Sequence, residues 1–152
     1  MLASLIVVTG MIKIPSPIPG AEFQLSAPIA VAIAAVYGFR RYITAGILAS
    51  SLMFMTGLHT ILNVEISMIF RVIAGGIIAI FGHSLPVLLL AGPLGTIAAR
   101  LGLAATLDID FWPLIIAAFP GMVFTIILVV PFTKILERTS KLEVPYGRSR
   151  TL

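Results

Sequence analysis

Arg71 stands at the centre of a largely apolar stretch, Ile61 to Phe81, long enough to cross a bilayer as one helix. A guanidinium near the membrane midplane costs about 2.5–3.5 kcal/mol on insertion scales, so it must face protein, an anion or a watery cavity. Two chemistries answer that requirement. Arg71 either locks helices together through carbonyls or one acid, or it anchors a ligand or ion. Asn63, Ser67, Arg71, Gly75 and Ala79 recur every four residues and fall on one helical ridge, polar at one end and small at the other. Glu65 is six residues away, about 600° around the helix, and leaves that face. Arg71 therefore needs its partner from another helix or from a ligand, and the polar ridge beside it favours the ligand.

Arg71, Asn63, Glu65, Arg100, Gln24 and Ser67 form the candidate substrate-binding set. Arg71, Arg100 and Lys13 supply cations to it, which points to a small substrate with a carboxylate or another anionic group, since guanidinium offers paired donors to carboxylate. Other chemistries find no support. The chain has no cysteine, which excludes disulfides, thiolate metal sites and cysteine nucleophiles. Its two histidines, His59 and His83, fall in different loops and are not spaced as a metal pair. No G-x-S-x-G, H-E-x-x-H, phosphate-binding loop or dinucleotide turn occurs, so neither an enzyme nor a cofactor is expected. No nucleic-acid-binding module is present. Without an ATP site, a binding protein that takes its energy from a partner fits better than a self-sufficient pump.

The elements that must position these residues are membrane helices. Hydrophobic residues make up 59% of 152 and charged ones 11%, with a mean hydropathy of +1.13. Soluble domains carry about 25% charged residues, so the chain reads as an all-α integral membrane protein. Breaks at proline, glycine and charge clusters give six apolar segments: Leu2–Ile14, Leu25–Phe39, Tyr42–Thr60, Ile61–Phe81, Leu85–Leu107 and Phe111–Ile135. The expected organisation is one transmembrane domain over 1–137 and a basic cytoplasmic tail over 138–152. With six crossings and both termini inside, Arg40, Arg41, Lys134, Arg138, Lys141, Arg148 and Arg150 are all cytoplasmic, as the positive-inside rule requires. Met1–Ile14 lacks the basic start of a cleaved signal peptide. Gly92-Pro93-Leu94-Gly95 and Phe119-Pro120-Gly121 are expected to kink or unwind their helices. Small pairs four apart, Ala30/Ala34 and Ala45/Ala49, suit close helix contacts.

The first loop carries a family resemblance. Ile12-Lys13-Ile14-Pro15-Ser16-Pro17-Ile18-Pro19-Gly20-Ala21-Glu22-Phe23-Gln24-Leu25-Ser26 joins a short first helix to a polar start of the second. It resembles the substrate-binding (S) components of the energy-coupling factor transporters, the vitamin-uptake systems of prokaryotes, among them the folate and biotin members. The resemblance implies a six-helix bundle in the prokaryotic cell membrane and a first loop, Pro15 to Phe23, that caps the substrate. It also implies a transmembrane coupling subunit and cytoplasmic ATPases as partners. One departure stands out. The family often presents Ala-x-x-x-Ala on helix one, where this chain has only Ala3 and Ser4. The expected function is uptake of a small water-soluble vitamin or micronutrient. The alternative is a small homo-oligomeric channel or an independent carrier with Arg71 in a shared pore.

Overall fold

The structure is a computed structural model, and it describes residues 1–15 and 22–143. It contains six helices: α1 (Leu2–Met11), α2 (Ser26–Tyr37), α3 (Phe39–Met55), α4 (Ile61–Phe81), α5 (Leu85–Leu107) and α6 (Phe111–Glu143). A short antiparallel pair, β1 (Lys13–Pro15) and β2 (Glu22–Gln24), joins α1 to α2 and qualifies the all-α expectation. α4, α5 and α6 are long and apolar enough to cross a membrane. At 1.5 Å per residue, the 21 residues of α4 span about 31 Å, close to the hydrocarbon thickness of a bilayer. α1 and α2 are apolar but have only 10 and 12 residues, and the protein is a helical membrane protein by composition and architecture.

The boundaries follow local chemistry. The Thr60 side chain accepts from the Asn63 amide, 3.4 Å away, at the start of α4. Gly82, at φ 81°, ends α4 in a conformation that glycine adopts without Cβ penalty. Gly38, at φ 83°, does the same between α2 and α3. The double arginine is therefore no break: Arg40 and Arg41 lie in the first turn of α3, because arginine is a good helix former and glycine is not. α3 accordingly starts three residues earlier than Tyr42 and ends at Met55, with 56–60 as the connection. α6 continues to Glu143, past the expected boundary at 137, on residues that favour helix. The tail beyond Glu143 lies outside the described residues, as does most of the expected lid over Pro15 to Phe23.

α2 is the central helix. It touches all five others, and Val31, Ala32 and Ile33 are completely buried. The helices around it meet one another closely at small residues. Proline does not break the long helices here: α5 runs unbroken past Pro93, and α6 past Pro120 and Pro131. The glycines expected to loosen α5 are packing positions instead. A Cβ on Gly92 would meet Thr125 Cγ2 at 2.5 Å, and one on Gly95 would meet Ala74 Cβ at 2.9 Å and Phe70 at 3.1 Å. Such contacts let helix backbones approach closely.

Candidate functional site

Two helical rows meet along the seam between α3 and α4. Tyr42, Gly46 and Ser50 are spaced by four on α3, and Gly75, Arg71 and Ser67 are spaced by four on α4. The helices run antiparallel, so as one row advances by a turn the other retreats by a turn. Gly75 packs against Tyr42 and Phe39, Gly46 lies under the Arg71 side chain, and the Ser50 and Ser67 hydroxyls are 3.1 Å apart. All six residues are buried or half-buried. The pairing explains the residue types: glycine stands where a large side chain from the opposite helix must cross the backbone.

Arg71 is 7% exposed. Its Nη1 donates to Ser50 Oγ at 2.6 Å and to Ser67 Oγ at 3.0 Å, with Met68 Sδ at 3.9 Å. A Cβ on residue 46 would stand 2.5 Å from Arg71 Nε, so only glycine admits the side chain in this position. Among the described residues no carboxylate pairs with Arg71, and its Nε and Nη2 groups have no acceptor. Tyr42, completely buried, lies within electrostatic reach of the guanidinium, and its own hydroxyl has no hydrogen-bond partner. The seam thus holds a buried cation by neutral hydroxyls. That arrangement positions positive charge without cancelling it, and it suits the binding of an anionic group.

The other expected site residues distribute unevenly. Ser67 joins Arg71 directly. Asn63 is exposed in the first turn of α4, so the outermost part of the ridge does not turn into the bundle; Ala79, at the other end, is exposed too. Glu65 serves a different seam, where the Thr106 hydroxyl of α5 donates to its Oε1. Arg100 is half-buried on α5, with no hydrogen bond or ion pair among the described residues. Gly102 meets Ile69, and Gly95 meets Phe70 and Ala74, so interpolation along α5 sets Arg100 near the level of Arg71. It also shares a row with Gly92 and Thr96, on the side of α5 where Gly92 meets α2 and α6. Gln24 pairs with Lys13 across the β1–β2 ladder, and its side chain lies outside the described ones. Among the described residues, no group of three or more His, Cys, Asp or Glu is arranged to hold a metal ion.

Gly46 and Ser50 join Arg71 in this seam although neither belongs to the set expected from the sequence. The signal was present. A Tyr-Gly-Ser row at four-residue spacing on α3 complements a Gly-Arg-Ser row on α4 when the two are read in opposite directions.

No family model matches the chain. No solved structure matches it either. Protein BioX of Lysinibacillus sphaericus is 62% identical to it over 141 residues, which cover 93% of this chain and 85% of that protein.

Proposed function

The chain belongs to the BioX family, and on that premise we propose that it is the membrane-embedded substrate-binding subunit of an uptake system for a small water-soluble vitamin or micronutrient with an anionic group. The observation that carries this reading is Arg71: a buried arginine, oriented by two hydroxyls, with no counter-charge among the described residues. Helix locking alone would be served better by a carboxylate, which would cancel the buried charge. A ligand that brings its own anion completes the site when it binds. Arg100, at a similar level and also without an acid partner, adds positive potential to the same part of the bundle.

In this reading the chain crosses the prokaryotic cell membrane six times, with both termini cytoplasmic and the β1–β2 pair outside. Arg40, Arg41, Lys134, Arg138 and Lys141 then lie on the cytoplasmic side. The absence of any ATP-binding motif in the sequence supports dependence on partners, a transmembrane coupling subunit and cytoplasmic ATPases, as in the energy-coupling factor systems that the first loop resembles.

The test is mass spectrometry of small molecules that co-purify with the protein, followed by uptake of the compound found, with and without co-expressed coupling subunit and ATPases. Retention of an anionic metabolite and partner-dependent uptake support the proposal. A symmetric oligomer that conducts without any partner would replace it with the channel reading. Topology is tested separately by single cysteines at positions 22 and 138, which is direct because the chain has no native cysteine. Labelling of position 138 from outside would reject the orientation.

A further inference from the structure

The hydrogen bonds of Arg71 leave one edge of its guanidinium without an acceptor among the described residues. Ser67 Oγ donates its proton to the Val64 carbonyl at 2.9 Å. The contact between Ser50 and Ser67, at 3.1 Å, must therefore use the Ser50 proton. Both hydroxyl protons are thus committed, and both serines turn lone pairs toward Arg71. Nη1 carries two of the five N–H groups of an arginine, and it meets two hydroxyl acceptors, Ser50 at 2.6 Å and Ser67 at 3.0 Å, with Met68 Sδ farther off at 3.9 Å. Nη1 is saturated. The N–H groups of Nε and Nη2 point the same way along the opposite edge, and no described residue accepts from them.

We propose that Ser50 and Ser67 are positioning residues that reserve the Nε/Nη2 edge of Arg71 for a carboxylate of the transported molecule. This rests on the reading of the protein as a binder of an anionic small molecule, and it specifies the chemical class of the anion. Two parallel N–H groups in a rigid plane match two carboxylate oxygens bidentately. A halide accepts from both donors only through bent, converging bonds, whereas a carboxylate meets each with its own oxygen, and a neutral amide lacks the charge. Serine is suited to this role for two reasons: it accepts from Nη1, and it does not ionise. An acid at either position would pair with Arg71 and remove the positive charge before any ligand arrived. Gly46 completes the arrangement, because any side chain there would displace Nε.

The experiment uses the full-length protein in detergent micelles with nitrogen-15 in its arginines, the Arg71 signals being assigned by their loss in Arg71→Lys. Sodium acetate is the probe, with sodium chloride at equal ionic strength and acetamide as comparisons. Acetate is expected to shift the Arg71 Nε and Nη2 signals while Nη1 stays in place, and chloride and acetamide to produce clearly smaller shifts. The Ser50→Ala, Ser67→Ala double variant should need about tenfold or more acetate for the same response, as loss of two hydrogen bonds to a charged group implies. Ser67→Asp, which supplies an internal carboxylate, should abolish the response and raise the apo melting temperature. An equal response to chloride, a response carried by Nη1, or no response to acetate in the wild-type protein would each overturn the assignment. The transport reading fails on different evidence: with no co-purifying metabolite and no uptake, an acetate response at the Nε/Nη2 edge would still stand.

Discussion

α4 is flanked by two seams that solve the same packing problem to different ends. Against α5, glycines at 95 and 102 admit apolar side chains, Phe70 and Ile69, and the one charged group, Glu65, is met by Thr106. Against α3, a glycine at 46 admits a cation, and the groups that meet it are neutral. Close approach is therefore not in itself a mark of function. What separates the seams is whether the polar group left inside is satisfied. Glu65 has a donor and lies only half-buried near a helix end, where water can complete its shell. Arg71 is buried ten residues into a 21-residue helix, and no described residue accepts from its second edge.

The largest effect that would break this comparison is expected at Gly46. Gly46→Ala puts a methyl group against Arg71 Nε, so the side chain must leave its serines or α3 must move. Overpacking of this kind costs about 1–3 kcal/mol, and it should also abolish ligand retention, measured by thermal unfolding and by mass spectrometry of the purified protein. Gly95→Ala should carry a similar stability cost, because Ala74 Cβ is fixed to its backbone and the helices must separate. Ligand retention by the molecules that remain folded should nevertheless persist. If Gly95→Ala removed the ligand as completely as Gly46→Ala, the two seams would not be functionally distinct.

Smaller changes sharpen the contrast. Thr106→Val removes the hydroxyl that meets Glu65 and should lower stability by about 1 kcal/mol with ligand affinity unchanged. Gly102→Ala should cost less, since the atom in the way is Ile69 Cδ1, the free end of a side chain that can rotate aside. Gly76→Ala is the control. A Cβ there meets nothing within 4 Å, so thermal unfolding should show no loss and a gain of at most about 1 kcal/mol from helix propensity.

Much of this was legible in the sequence where a single helix carried the information. The limits of α4 and α5 were readable because Thr60, Gly82 and Ser84 punctuate them. Arg71, its ridge with Ser67, and the mismatch of Glu65 with that face followed from 3.6-residue geometry alone. The start of α3 differs from the expected Tyr42 because the conformational change falls at Gly38, φ 83°, and not at the charge pair. The proline motifs do not unwind their helices: α5 stays helical past Pro93, where Gly92 and Gly95 pack closely against neighbouring helices. What one helix could not reveal was its neighbour's register. Ser50 and Gly46 became site residues only once α3 lay antiparallel to α4, and the pairing of Glu65 with Thr106 depends in the same way on the register of α5.

Arg71 itself offers the most direct way to separate a buried charge that serves a ligand from one that serves the fold. Arg71→Ala removes the guanidinium and leaves Ser50 and Ser67 bonded to each other, with their remaining bonds intact. The apo melting temperature and the content of co-purifying small molecules should be measured side by side for this variant and the wild type. The account predicts a small change in apo melting temperature and the loss of a carboxylate-bearing compound, equivalent to about 2–5 kcal/mol of binding free energy, as when one member of a buried charge pair is truncated. A large fall in apo stability, with the compound still bound to the protein that remains folded, would contradict it.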